Sequence, residues 1–145
     1  MELSCKSEYA LLALLELAAC HSKGEPLQIR EIAARQNIPD RYLEQLLANL
    51  RRYGLVRSQR GAKGGYLLAR EPWKISLSEI FDCIEGPNPP VAETGCTTET
   101  VEKATILEAW QEAQQAAKSV LQNYTLQNLC ERRDAKQQLD IMYYI

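Results

Sequence analysis

Apolar residues recur along the chain at helical spacing, and short polar, glycine or proline stretches break the runs. Residues 7–19 are apolar nearly all round and built of strong helix formers, which predicts a buried helix started by Ser4 or Ser7. Residues 23–26, Lys-Gly-Glu-Pro, end it. Ile29, Ile32 and Ala33 share one face of a short helix over Ile29–Gln36. After Asn37-Ile38-Pro39, the stripe Leu43, Leu46, Leu47, Leu50 follows the i, i+3, i+4, i+7 pattern and predicts a second helix over residues 40–53. Asp40 is placed to cap that helix, and Arg51 and Arg52 suit the negative end of its dipole. Gly54 is suited to the left-handed residue that follows.

The period then changes. Residues 56–58 and 66–68 read as strands, and Gly61, Gly64 and Gly65 supply positive-φ positions for the turn between them. Two helices on a short turn, followed by a hairpin, make a winged helix-turn-helix. Ser76 and Glu79 form a capping box for a helix reaching about Glu85, and residues 86–90, Gly-Pro-Asn-Pro-Pro, stop it. A loop over 91–98 carries Gly95 and Cys96. A long helix follows from about Thr100 to Asn123. Leu107, Trp110, Gln114, Ala117, Leu121 and Tyr124 recur on it at spacings of three and four, widened by Ile106, Ala113 and Val120. So long a stripe predicts helix-to-helix pairing between two subunits at Leu107, Trp110, Ala117, Leu121 and Tyr124; the alternative is that it folds back on its own domain. Thr125 begins a short last helix, and the polar residues from Glu131 onward read as loose. The expected fold is mainly α: a winged helix-turn-helix DNA-binding domain with a long C-terminal dimerisation helix. Its parts are a DNA-binding domain at 1–86, an effector loop at 87–99, dimerisation helices at 100–129 and a tail at 130–145.

Charge changes this picture by dividing it. The chain's formal net charge is −2, yet residues 30–70 hold nine basic residues against three acidic ones, and residues 71–145 hold six against twelve. A basic block joined to an acidic one fits a DNA-reading half and a half with another task. The five cysteines, Cys5, Cys20, Cys83, Cys96 and Cys130, are odd in number and contain no C-x-x-C pair, so a reducing, cytoplasmic location is expected rather than a disulfide framework. The apolar run near the N-terminus is too short to span a bilayer and follows Glu2 and Lys6, so neither a signal peptide nor membrane association is expected.

In a helix-turn-helix the start of the second helix faces the bases. Those residues are Pro39, Asp40, Arg41, Tyr42, Glu44 and Gln45. Arg41 suits guanine or a phosphate, Gln45 suits adenine, and Glu44 can accept from cytosine. Tyr42 offers a hydroxyl to a phosphate or an apolar ring edge to a thymine methyl. Arg60 at the wing tip suits a narrow minor groove, with Lys63 beside it. Arg51, Arg52 and Arg57 suit phosphates, which set affinity without choosing sequence. Each of these side chains could equally be plain solvated surface. A phosphate-binding loop at 60–65 lacks the required spacing and precedes a strand instead of a helix. Catalysis finds no constellation: His21, the one histidine, neighbours Cys20, and adjacent helix residues point about 100° apart.

The run from Tyr42 to Val56, leading into Arg60-Gly61-Ala62-Lys63-Gly64-Gly65-Tyr66-Leu67-Leu68-Ala69, resembles the bacterial regulator family of the iron–sulfur regulator IscR, the nitric-oxide sensor NsrR and the cysteine-metabolism repressor CymR. Tyr9-Ala10-Leu11, residues 29–33 and Glu85-Gly86-Pro87 fit the same pattern, and the likeness extends from Leu3 to about Leu129. It implies a dimeric winged-helix transcription factor with crossed long helices. It further implies Tyr42, Glu44 and Gln45 in the major groove and Arg60 in the minor groove. Cluster-bearing members carry three cysteines, often with a histidine, where this chain has Ala92, Thr98, Ala104 and Leu107. Some complete the cluster with an acidic residue from the first helix of the other subunit, where Glu8 stands.

The expected function is thus a homodimeric, sequence-specific regulator of transcription, not an enzyme, on double-stranded and palindromic DNA. Its effector stays open among three options. One is a small molecule or regulatory protein with no cofactor. Another is an atypical 2Fe-2S iron-sulfur cluster at Glu8 and Cys96, with Cys5 as a further candidate. The last is a thiol switch at Cys96. The alternative of another class is a winged-helix protein-interaction module without DNA binding.

Overall fold

A computed structural model describes residues 3–86 and 100–143. In chain order they form α1 (Cys5–Ala19), α2 (Ile29–Gln36), α3 (Asp40–Arg52), β1 (Val56–Gln59), β2 (Gly65–Leu68), a single 3-10 turn (Pro72–Lys74), α4 (Leu77–Glu85), α5 (Val101–Asn123) and α6 (Leu126–Tyr143). The two strands pair antiparallel, with Val56 opposite Leu68 and Gln59 opposite Gly65. Mainly helical with a small winged sheet, this is the architecture that the patterning predicts.

Helix α1 is the hub. It packs against α2, α3, α4, α6 and β2. Of the two possible caps, Ser4 fills the position: its hydroxyl accepts the backbone N–H of Ser7 at 3.2 Å. Ser7 lies one turn further in and is fully buried. Its hydroxyl donates to the Glu85 carboxylate at 2.8 Å instead. Leu14 and Leu17 of α1 meet Ile32, Leu43, Leu47, Leu50, Leu55, Ile75, Ile80 and Leu126 in one core. Each such side chain contributes roughly 1.5–3 kcal/mol on burial, and this core joins the five helices other than α5 to both strands, while α5 reaches it only through the partly buried Leu121.

Asn37 ends α2 in the left-handed conformation, φ 53°. This turns the chain so that Ile38 is buried and its N–H reaches the Ala33 carbonyl at 3.1 Å. The cap of α3 differs from expectation. Pro39 holds the N-cap position with φ −60° and ψ 132°, and no side chain caps the helix. Proline's fixed φ and extended ψ set the corner, which moves Asp40 into the first turn, where its charge still suits the dipole. In the wing, Gly61 and Gly65 have positive φ but Gly64 does not. Gly64 is required for space: a Cβ there would lie 2.2 Å from the Gln59 carbonyl oxygen.

The C-terminal segment also departs from the reading. It is not a short helix with a loose polar tail but one helix, α6, of 18 residues. Leu126 and Cys130 are buried, Leu129 packs on the core, and Arg133 donates to the Leu15 carbonyl at 3.3 Å. Those anchors fix its first turns against α1. The following Glu, Arg, Lys, Gln and Ala residues are good helix formers with no proline or glycine among them, so the helix continues. The turn joining α5 to α6 is stitched to the strand-like lead into α4: Leu77 N–H bonds to the Tyr124 carbonyl and Leu126 N–H to the Ile75 carbonyl, both at 2.9 Å.

Candidate nucleic-acid interface

The candidate surface is set by α3. Its apolar stripe, Leu43, Leu46, Leu47 and Leu50, is buried. Helical geometry then forces the intervening residues outward, and Pro39, Asp40, Arg41, Tyr42, Glu44 and Gln45 are all exposed. The wing leaves the end of the same helix. Gly54, at φ 85°, turns the chain into β1, and Leu55 and Val56 bury themselves in the core. Arg57, Arg60 and Lys63 are exposed along the hairpin. On its other side β2 bridges Leu27, whose N–H bonds to the Tyr66 carbonyl at 3.0 Å and whose carbonyl accepts from Tyr66 at 2.7 Å. That bridge fixes the wing to the segment preceding α2.

Between wing and α3 lies an open crevice of about 380 Å³, lined by Gln28, Arg30, Asp40, Glu44, Gly64 and Tyr66 among others. Gln28, Arg30 and Tyr66 did not emerge from the motif reading. They come from the start of α2, which packs on α3, and from β2, which the Leu27–Tyr66 bridge holds beside it. Arg30, one basic residue at a helix start, carries no distinguishing signal in the sequence.

Ion pairing separates the basic residues into two groups. Arg70 is paired with Glu79 at 2.9 Å and Arg35 with Glu16 at 3.2 Å. The Glu16 carboxylate raises the Arg35 guanidinium above its ordinary range. Arg41, Arg51, Arg52, Arg57, Arg60 and Lys63 form no ion pair with a described residue. Arg51 is partly committed, because it donates to the Ser58 hydroxyl at 3.2 Å and so braces β1 against α3. The result is a set of cations along α3 and the wing that no described residue pairs, beside an exposed helix start, which suits a polyanion with readable edges.

Helix α5 stands apart from this. None of its 23 residues is buried. Ile106, Trp110 and Val120 are exposed large apolar side chains, Trp110 by 55%. Of the five residues expected at a subunit interface, Leu121 and Tyr124 pack against the chain's own core. Tyr124 also carries the Arg132 guanidinium over its ring at 4.8 Å. Leu107 and Ala117 are half-buried.

The described metal donors do not assemble. Cys5 and Glu8 are exposed on α1, Cys83 lies on α4 and Cys130 is buried on α6. Among the described residues no three of His, Cys, Asp or Glu converge on a metal-sized site. Cys96 and the expected effector loop lie outside the described residues. Burial pushes the Cys83 and Cys130 thiols upward, which makes both poor nucleophiles. No helix among the described residues is long and apolar enough to cross a membrane.

Comparison with known proteins bears on this surface. The family model described as "Rrf2: Iron-dependent Transcriptional regulator" matches residues 3–132. The HTH-type transcriptional regulator CymR of Bacillus subtilis (strain 168) is 40% identical over 145 residues, covering all of both chains. The solved structure of CymR, the global cysteine regulator of B. subtilis, superposes with a TM-score of 0.78 at 37% identity, covering 91% of this chain and 98% of that one. IscR of T. potens superposes with a TM-score of 0.77 at 31% identity, covering 94% and 91%.

Proposed function

The chain belongs to the Rrf2 family of transcriptional regulators and is a DNA-binding regulator; from that premise we propose that it acts as a homodimer on a palindromic operator, reading bases with the start of α3. In this reading Arg41, Tyr42, Glu44 and Gln45 meet base edges in the major groove, with Pro39 and Asp40 at its rim. Arg60 enters the adjacent minor groove, and Lys63 beside it holds a phosphate, as do Arg51, Arg52 and Arg57. The observation that supports the proposal is the coincidence of six exposed helix-start side chains with a wing whose cations form no ion pair with a described residue.

The homodimer is supported by α5. Ile106, Trp110 and Val120 fall at spacings that place them on one side of a helix with no buried residue. Pairing that face with its copy removes it from water, and two-fold symmetry then presents two recognition helices to half-sites about 34–36 Å apart. Leu107, Trp110 and Ala117 belong to this interface, while Leu121 and Tyr124 position α5 on its own domain.

The test is selection of duplexes from a random-sequence library by the whole chain, followed by footprinting. The expected outcome is enrichment of a two-fold symmetric motif with half-sites about one helical turn apart. Recovery of no motif, with every duplex bound alike, would overturn the reading.

A further inference from the structure

Tyr42 occupies the third position of α3 and is 47% exposed. An exposed tyrosine on a helix can usually take more than one rotamer, and ordering such a side chain on binding costs affinity. Here one contact restrains it. The Tyr9 ring of α1 meets the Tyr42 ring edge-on, with centroids 6.1 Å apart and planes at 73°. This is a favourable geometry for two quadrupoles.

Tyr9 is the fixed member of the pair. It is half-buried and packs on the core, and its neighbour in sequence, Ala10, is fully buried. The turn that carries it is fastened at its start. Ser4 caps the helix, and both Ser4 and Ser7 donate their hydroxyls to the Glu85 carboxylate at the end of α4. A small pocket of about 70 Å³ between Lys6, Ile84 and the Tyr42, Gln45 and Asn49 side of α3 lies in the same seam. The beginning of α1 therefore borders the outward face of the recognition helix.

We infer that Tyr9 is a positioning residue for DNA reading: its ring holds Tyr42 in the rotamer that meets the operator, without touching DNA itself. The inference rests on the assignment of Tyr42 to the major groove. Nothing else among the described aromatic residues stacks with Tyr42, so removing Tyr9 releases it. The cations assigned to phosphates lie on the wing or, for Arg51 and Arg52, in the last turn of α3, away from the Tyr9–Tyr42 pair at its start.

The experiment is a double-mutant cycle on binding of the whole chain to two probes, a duplex selected by the wild-type protein from a random library and an unrelated duplex of equal length. Tyr9→Leu should weaken the selected duplex roughly three- to tenfold and leave the unrelated duplex within about twofold. Tyr9→Phe keeps the ring and should bind like wild type. In the Tyr42→Leu background, Tyr9→Leu should have no further effect. Equal loss on both duplexes, or losses that multiply in the double variant, would overturn the inference while leaving Tyr42 as a reader. A Tyr42→Leu variant that binds the selected duplex like wild type would remove the reading of Tyr42 itself, and the inference would fall with it.

Discussion

The wing is aimed by a bridge to Leu27, and Gly65 makes that bridge possible. Its φ is +151°, and an ideal Cβ there would lie 2.4 Å from the Leu27 carbonyl oxygen and 2.6 Å from its carbon. Those are backbone atoms, so no side-chain rotation relieves the overlap. Gly65→Ala must therefore separate β2 from residue 27. Two backbone hydrogen bonds weaken, Leu27 to Tyr66 and the reverse, at about 1 kcal/mol each. Strain at this φ adds roughly 1–2 kcal/mol. Alanine's smaller unfolded-state entropy returns about 0.4–1 kcal/mol. The net loss is about 2–3 kcal/mol, a large part of a domain stability of roughly 5–15 kcal/mol. The assay is urea unfolding followed by circular dichroism at one fixed protein concentration, because subunit association would shift the midpoint. Gly54→Ala is the control: its φ is +85° but nothing lies within 4 Å of its Cβ. It pays the left-handed penalty, about 1–2 kcal/mol, and no overlap. A Gly65→Ala loss below about 0.5 kcal/mol, or one no larger than that of Gly54→Ala, would refute the crowding argument.

Three further outcomes follow from the same geometry. Arg60→Ala should weaken selected DNA by about tenfold or more and Lys63→Ala by a few-fold, measured by fluorescence anisotropy; equal losses would count against a minor-groove role for Arg60. The Ser4 and Ser7 hydroxyls, and Lys6 more weakly, hold the Glu85 carboxyl below its ordinary value of 4.5. A depressed folded value stabilises above the ordinary range and is lost as pH falls through it. Glu85→Gln should thus cost about 0.5 kcal/mol at pH 7, a figure reduced for its exposure, and the gap from wild type should close in acid; a gap constant with pH would contradict the clasp. Trp110→Glu, which puts charge on the exposed face of α5, should shift sedimentation toward the monomer while the far-ultraviolet helix signal is kept; an unchanged sedimentation coefficient would place the interface elsewhere.

Local signals carried most of the fold. The leucine stripe of α3, the Ser76 cap and the glycine-bounded hairpin each identify an element because spacing and turn chemistry act within a few residues. Where two local rules compete, the outcome is harder to read. Asp40 is the better cap by composition, but Pro39 sets the backbone corner and takes the position. In α6 polarity suggested a loose tail, yet helix propensity and the anchors at Leu126, Cys130 and Arg133 prevail. Contacts between distant segments leave no trace in periodicity. The Leu27–Tyr66 bridge, the Ser7–Glu85 bond and the Tyr9–Tyr42 pair join residues 39, 78 and 33 positions apart. For the same reason the α5 stripe showed that the helix needs partners without dividing them: Leu121 and Tyr124 turn to their own core, while Ile106, Trp110 and Val120 stay exposed.

The central claim is that the exposed cations along α3 and the wing bind DNA, and its most direct test is the salt dependence of that binding. Arg51, Arg52, Arg57 and Lys63 in each of two subunits would neutralise about eight phosphates, for a slope of log K against log salt on the order of −7. Between 50 and 200 mM salt the affinity should then fall by about four orders of magnitude. A slope near zero, or no binding to duplex DNA at 50 mM, would contradict the account.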